Sequence, residues 1–85
     1  MDLLYDPAKD VINRFKHGLS FQDFHGFDAE PTVTVDNRFD YGERRFRAFG
    51  RISGVPHCLV YTETGAGVRA ISFRRVHGKE FRRYE

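Results

Sequence analysis

Ten cationic side chains crowd the second half of this sequence, and nine of them are arginine: Arg44, Arg45, Arg47, Arg51, Arg69, Arg74, Arg75, Arg82 and Arg83, joined by Lys79. A guanidinium is a planar fork that offers parallel donors to a phosphate or a carboxylate and does not give up its proton. Residues 43–85 carry ten basic and four acidic side chains, a balance of +6. Residues 1–42 carry four basic and eight acidic ones, a balance of −4, so the formal net charge of +2 hides a strong asymmetry. An arginine-rich half of this kind reads as a footprint for a polyanion or a socket for an acidic partner. For each arginine taken singly, an ordinary surface ion pair is the alternative.

Cutting a sugar–phosphate backbone through its 2′-hydroxyl needs three things. A base takes the hydroxyl proton, cations steady the pentacovalent phosphate, and an acid protonates the leaving 5′-oxygen. The groups able to move a proton here are His17, His77, Glu80 and Tyr84. His17 titrates in the right range, but its place in a helix's last turn also suits a capping role. Glu80 and Tyr84 lie one turn apart and share a helix face. Beside arginines a carboxyl is held ionised, which makes Glu80 a base or an arginine orienter rather than an acid. The Tyr84 ring equally serves to dock its helix. Cys58 is the only cysteine and sits in an apolar run, the setting of an inert core residue. No His, Cys or Asp cluster has metal-ligand spacing, so no metal and no cofactor are implied.

The elements that must hold these groups follow from local signals. Eighty-five residues at 9.9 kDa, 40% hydrophobic and 15% aromatic, predict one domain spanning 1–85 with a small core. No apolar run approaches the roughly 20 residues of a membrane span, and no secretory signal is visible, so a cytoplasmic protein is expected. Asp6-Pro7-Ala8 starts a helix that Gly18 closes. Ala8, Val11, Ile12 and Phe15 form one apolar stripe, expected to lie on the sheet. Ser20 with Asp23 resembles a capping box, and Phe21, Phe24 and Phe27 line one face, which predicts a second short helix ended by Gly26 and Pro31.

From Pro31 the period changes to that of strands. Thr32–Val35 is β-branched; Arg44–Phe49 alternates, with Phe46 and Ala48 on one face and Arg45 and Arg47 on the other. Ile52-Ser53-Gly54 turns the chain into a strand over Cys58–Thr62, and Thr64–Gly67 turns it again into Val68–Arg74. Regular alternation puts Arg69, Ile71 and Phe73 on one face of that strand, with Val68, Ala70, Ser72 and Arg74 on the other. Val76–Tyr84 forms helix only if docked. The expected fold is α+β: two N-terminal helices on one face of a four-stranded, mainly antiparallel sheet, and a short C-terminal helix.

Several blocks together resemble one family. Asp6-Pro7-Ala8-Lys9, Asn13, Lys16-His17-Gly18 and Ser20-Phe21 are similar to the opening of the BrnT toxins. Glu43, Arg45 and Gly50, then Val60-Tyr61-Thr62-Glu63, then Val68-Arg69-x-Ile71-Ser72-x-Arg74-Arg75, and finally Glu80, Tyr84 and Glu85 match its later blocks in order and spacing. Leu19, Phe73 and Val76-His77-Gly78 depart from the usual pattern, and His77 has no counterpart in it. The resemblance implies a RelE/ParE-like ribonuclease toxin of a type II toxin–antitoxin system that arrests translation. It also implies a BrnA-like ribbon-helix-helix antitoxin that neutralises the toxin and with it represses their own operon, the complex reaching operator DNA through the antitoxin alone. On that footing Arg69 and Arg74 steady the phosphate, and Glu80 and Tyr84 are the catalytic partners. Arg45, Arg75, Lys16 and His17 contact RNA.

A non-catalytic RNA- or partner-binding module is the alternative, since no acid and base pair is unambiguous. A structural subunit is a third, and it requires a broad exposed apolar patch. The nuclease reading requires the C-terminal guanidinium groups to converge on one patch rather than scatter, each on its own carboxylate.

Overall fold

The computed structural model describes residues 3–85. Helix α1 runs Pro7–His17 between the ends its sequence dictates. The Asp6 carboxylate accepts from the Ala8 amide at 2.9 Å, and Gly18 closes the helix at φ 72 with its amide on the Arg14 carbonyl.

The rotation of α1 about its axis is the reverse of the expected one. Asp10 and Asn13 are its buried residues, while Val11, Ile12 and Phe15 are 65%, 52% and 93% exposed. Hydrogen bonds decide this. Asn13 Nδ2 donates to the Leu19 and Phe73 carbonyls at 2.8 and 2.9 Å, and Asn13 Oδ1 accepts from the Phe73 amide at 2.9 Å. Asp10 Oδ1 accepts from the Phe21 amide at 2.7 Å, and its carboxylate also takes the Ser20 hydroxyl. Turning the apolar stripe inward would strand all of these buried groups without partners.

The second N-terminal helix does not form. Ser20 and Asp23 do make the expected capping box, but it caps only a three-residue 3-10 turn, Phe21–Asp23. Phe24 is already extended, and Gly26 stands at φ 112. The Phe spacing of three, repeated twice, matches three residues per turn better than 3.6, and nothing holds a longer helix against the pull of Phe21 and Phe24 into the core.

Four antiparallel strands follow in meander order: β1 Thr32–Asp36, β2 Arg45–Ile52, β3 Val55–Thr64 and β4 Gly67–Arg75. Ser53 and Gly54, at φ 50 and 78, make the tight turn between β2 and β3. One face of the sheet carries Leu59, Ala70 and Phe73 against Leu19, Phe21 and Phe24. Phe27 packs over Gly50 on that side, where a Cβ would lie 2.6 Å from its ring. The outer edge of β4 is closed twice: Leu4 bonds to Val68 and Ala70, and the Asn13 carboxamide takes both backbone groups of Phe73.

Strand β4 is not regular. Val60 faces Ser72 but Tyr61 faces Ala70, so Ile71 is an extra residue in a bulge. The bulge shifts the alternation by one. Ala70 and Phe73 both enter the same core, against the expected division, and Arg69 and Arg74 are left together on the opposite face.

The helices are not confined to one side of the sheet either. Helix α2, Gly78–Phe81, runs on into a 3-10 turn, Arg82–Tyr84, and docks on the arginine-bearing face. Phe81 and Val76 pack there with Phe49, Cys58 and Val60. Burial of Phe81, with half-buried Tyr84 packed beside it, compensates for a helix too short to stand alone.

Candidate functional site

The register of the sheet settles which arginines meet. Arg45 and Arg47 on β2 alternate with half-buried Phe46 and buried Ala48. Cross-strand pairing sets Arg47 against Val60, Arg69 against Thr62 and Arg74 against Cys58. All four therefore project from the face on which α2 docks. Two originate on the central strand β2 and two on the edge strand β4.

Three of them hold carboxylates. Glu43 bridges two strands, accepting from Arg45 Nε at 3.2 Å and from Arg69 Nη2 at 2.9 Å. Arg74 donates to Glu80 through both terminal nitrogens, at 3.3 and 3.0 Å. That contact raises the already high pKa of Arg74 and lowers that of Glu80, with Arg47 and Arg83 adding smaller pulls on the carboxyl. Glu80 is ionised at neutral pH and has no proton to give. Arg51, at the far end of β2, is held by Glu85 at 2.5 Å. Arg38 lies on Asp36, two atoms to two atoms at 2.8 Å, and this holds the Asp36 carboxyl down to about 2.

Arg47 is different. Among the described residues it makes no salt bridge, and its Nε is buried with no hydrogen-bond partner. The residue opposite it on β1, Thr34, also has a buried hydroxyl oxygen without a partner. Its guanidinium carbon lies 5.5 and 5.8 Å from the ring centroids of Phe49 and Tyr84. Two neighbouring polar atoms removed from water without a bond are costly unless something outside the chain completes them. The sequence counts Arg47 among the arginines, and the family resemblance gives it no role. The signal is in the alternation, because Arg45 and Arg47, two residues apart on β2, leave the strand on the same face.

Tyr84 stacks on Phe49 with ring centroids 3.7 Å apart and planes 3° off parallel, and its carbonyl accepts from Thr32 Oγ1 at 2.6 Å. The ring docks the C-terminal segment beside Arg47. His17 lies at the border of the same region. With Lys16, Asn13, Ile12, Ile71 and Ser72 it lines a groove of about 200 Å3 between α1 and β4. Burial lowers the imidazole pKa, and the charges of Arg74 and Lys16 lower it further, so His17 is neutral at pH 7. Ser72, which a regular strand would turn away from Arg69, is brought by the bulge to the Arg69 side and into the His17 groove.

The other residues singled out fall elsewhere. Arg75 is exposed and pairs with His57 beyond the bulge, on the opposite face from Arg74. His77 is exposed at the start of α2. Cys58 is fully buried, and its thiol is pushed up to about 11 by that burial. Among the described residues, no group of three or more His, Cys, Asp or Glu side chains gathers as a metal site. No helix among them is long and apolar enough to cross a membrane.

The site is thus a cationic sheet face, bordered by a neutral imidazole, an ionised carboxylate and a phenol. It can grip a phosphate backbone and move a proton. Compared with known proteins, residues 5–80 match a family model described as "Ribonuclease toxin, BrnT, of type II toxin-antitoxin system". No curated relative and no solved structure matches.

Proposed function

The chain belongs to the BrnT family of ribonuclease toxins of type II toxin-antitoxin systems, and from that premise we propose that it is an endoribonuclease working without a resident metal ion. The observation that carries this reading is the convergence of Arg45, Arg47, Arg69 and Arg74 on one sheet face. An RNA strand crossing that face meets in Arg47 a guanidinium that holds no carboxylate among the described residues. Arg69 and Arg74 then exchange Glu43 and Glu80 for phosphate oxygens, trading one anionic partner for another. Neutral His17 accepts the 2′-hydroxyl proton as the 2′-oxygen attacks phosphorus, and Tyr84 protonates the departing 5′-oxygen. Before RNA binds, Glu80 holds the Arg74 guanidinium in place on the face. The products are a 2′,3′-cyclic phosphate and a 5′-hydroxyl. Lys16 and Arg45 extend the contact along the backbone, and Arg75 reaches RNA only around the sheet edge.

Cutting RNA arrests translation, so the cell needs a neutralising partner. A BrnA-like ribbon-helix-helix antitoxin is the fitting one, with carboxylates that compete for the same arginines. Operator DNA is then reached through the antitoxin alone. A RelE/ParE-like ancestry is supported by the order of helix, antiparallel sheet and C-terminal helix.

The test is purified protein with RNA in excess EDTA. Cleavage is expected, and Arg69→Ala with Arg74→Ala should cut the rate at least about 100-fold while Tm moves only a few degrees. Intact RNA with the wild type, together with unimpaired growth on induction, overturns the proposal. One observation favours a second reading, a binding module without turnover: Arg45, Arg69 and Arg74 are already occupied by Glu43 and Glu80. That reading predicts salt-sensitive RNA or partner binding and no products in the same assay.

A further inference from the structure

We propose that the outer face of α1 is the docking surface for the antitoxin, which seats an apolar segment flanked by acidic residues on Val11, Ile12 and Phe15. The inference rests on the toxin–antitoxin reading above and adds to it a location and a chemistry.

The stripe is held outward by the chain itself. Asp10 and Asn13 are locked to Phe21, Leu19 and Phe73, and at 100° per residue the stripe centred on Phe15 is diametrically opposite them. Phe15 is 93% exposed, and Val11 and Ile12 beside it are 65% and 52% exposed, so three large apolar side chains face water together. Neither copy number nor nucleic acid explains it well. Arg14 borders the stripe on one side, Lys9 and Lys16 on the other. A second copy of this chain would therefore set cations against cations along both margins. RNA has no use for the aliphatic Val11 and Ile12. A partner with apolar residues at its centre and carboxylates at its margins fits both features.

The stripe also leads somewhere. Ile12 belongs at once to this face and to the groove shared by His17, Ile71 and Ser72, and His17 is within electrostatic reach of Arg74. A segment anchored on α1 continues through that groove onto the arginine face. Anchorage and neutralisation are then two parts of one contact, with the anchor supplied by Val11, Ile12 and Phe15, which the RNA path does not use.

The probe is the purified protein encoded by the gene adjoining this one, titrated against the full chain. Val11→Glu with Phe15→Glu should weaken binding at least 100-fold with Tm and RNA cleavage unchanged, because both side chains face water. Val11→Ala with Phe15→Ala should give a loss in the same direction without adding charge. Arg14→Glu should cost about tenfold and flatten the salt dependence of binding. The cleavage activity of the double variants should persist at antitoxin levels that silence the wild type. Binding of the double variants within twofold of the wild type overturns the inference. So does a wild-type chain that sediments as a dimer and becomes monomeric on substitution, which assigns the stripe to a second copy. Absence of any wild-type complex overturns it too. If the wild type cuts no RNA yet the double variants still lose the partner, the nuclease reading fails and the docking surface stands.

Discussion

Asn13 treats Phe73 as a neighbouring strand would. Its carboxamide donates to the Phe73 carbonyl and accepts from the Phe73 amide, both at 2.9 Å, across sixty residues of sequence. One side chain thereby closes the Phe73 end of the β4 edge, fixes the rotation of α1 with Asp10 and turns the apolar stripe of that helix toward solvent.

Replacing Asn13 by Ala should be among the most damaging single changes in the molecule. It leaves the Leu19 carbonyl and both Phe73 backbone groups unpartnered in a buried setting. The expected cost is about 2–4 kcal/mol, or a fall in Tm of roughly 10–20 °C for a domain of this size. Thermal unfolding checks it; a shift under about 3 °C would show that water reaches these groups easily. Val11→Ala on the same helix should leave Tm nearly unchanged, since that side chain is exposed.

Tyr84 separates docking from chemistry by substitution. Its ring stacks on Phe49, so Tyr84→Ala should destabilise by about 2–3 kcal/mol and loosen the C-terminal turn. Tyr84→Phe keeps the stack and should keep Tm within a few degrees. If the phenol is the acid of the proposed reaction, Tyr84→Phe lowers kcat about 100-fold with little change in KM. Equal activity of the Phe variant and the wild type would leave the ring with a structural role only.

The two variants expose what a sequence can and cannot reveal. Ends of elements were legible because caps are local: Asp6 and Gly18 bound α1, and Ser53-Gly54 turns β2 into β3. The face of α1 was not legible, because Asp10 and Asn13 find partners at Phe21 and Phe73 that no periodicity in the helix encodes. The second helix stops after one turn, because a capping box states where a helical turn begins and says nothing of its length. The bulge at Ile71 depends on pairing with β3, and it alone decides that Arg69 and Arg74 share a face. Residue types of the site could therefore be read in advance, and the side of the sheet they occupy could not.

Arg47 supplies a quantitative check on the RNA-binding face. Among the described residues it makes no salt bridge, so a bond from its guanidinium to phosphate is made without breaking a carboxylate pair. Arg47→Ala should weaken binding of a short RNA by about 1–3 kcal/mol and reduce the slope of log K against log salt by roughly 1. Arg45→Ala, which first frees Glu43 from one of its two arginines, should cost less. Titrations by fluorescence anisotropy at several salt concentrations distinguish the two. An unchanged slope for Arg47→Ala would remove it from the interface.

His17 ties the pH dependence of activity to that of stability, with opposite signs to be told apart. Its folded pKa lies below the ordinary value of 6.5, first through burial, then through the charges of Arg74 and Lys16. The unfolded chain consequently binds this proton more tightly than the folded one. His17 costs nothing above pH 6.5, and it costs stability progressively as pH falls through that value toward the folded pKa. His17→Gln should flatten this part of the stability profile. Arg74→Ala should raise the imidazole pKa part of the way back, because burial and Lys16 remain; NMR titration of the ring protons reads the shift directly. If neutral His17 is the base, the acid limb of kcat/KM for RNA cleavage falls below pH 6.5 and disappears in His17→Gln together with most of the activity. A full-rate His17→Gln enzyme with an unaltered acid limb would move the base to Glu80, whose pKa is held low by Arg74 and whose limb lies far more acidic.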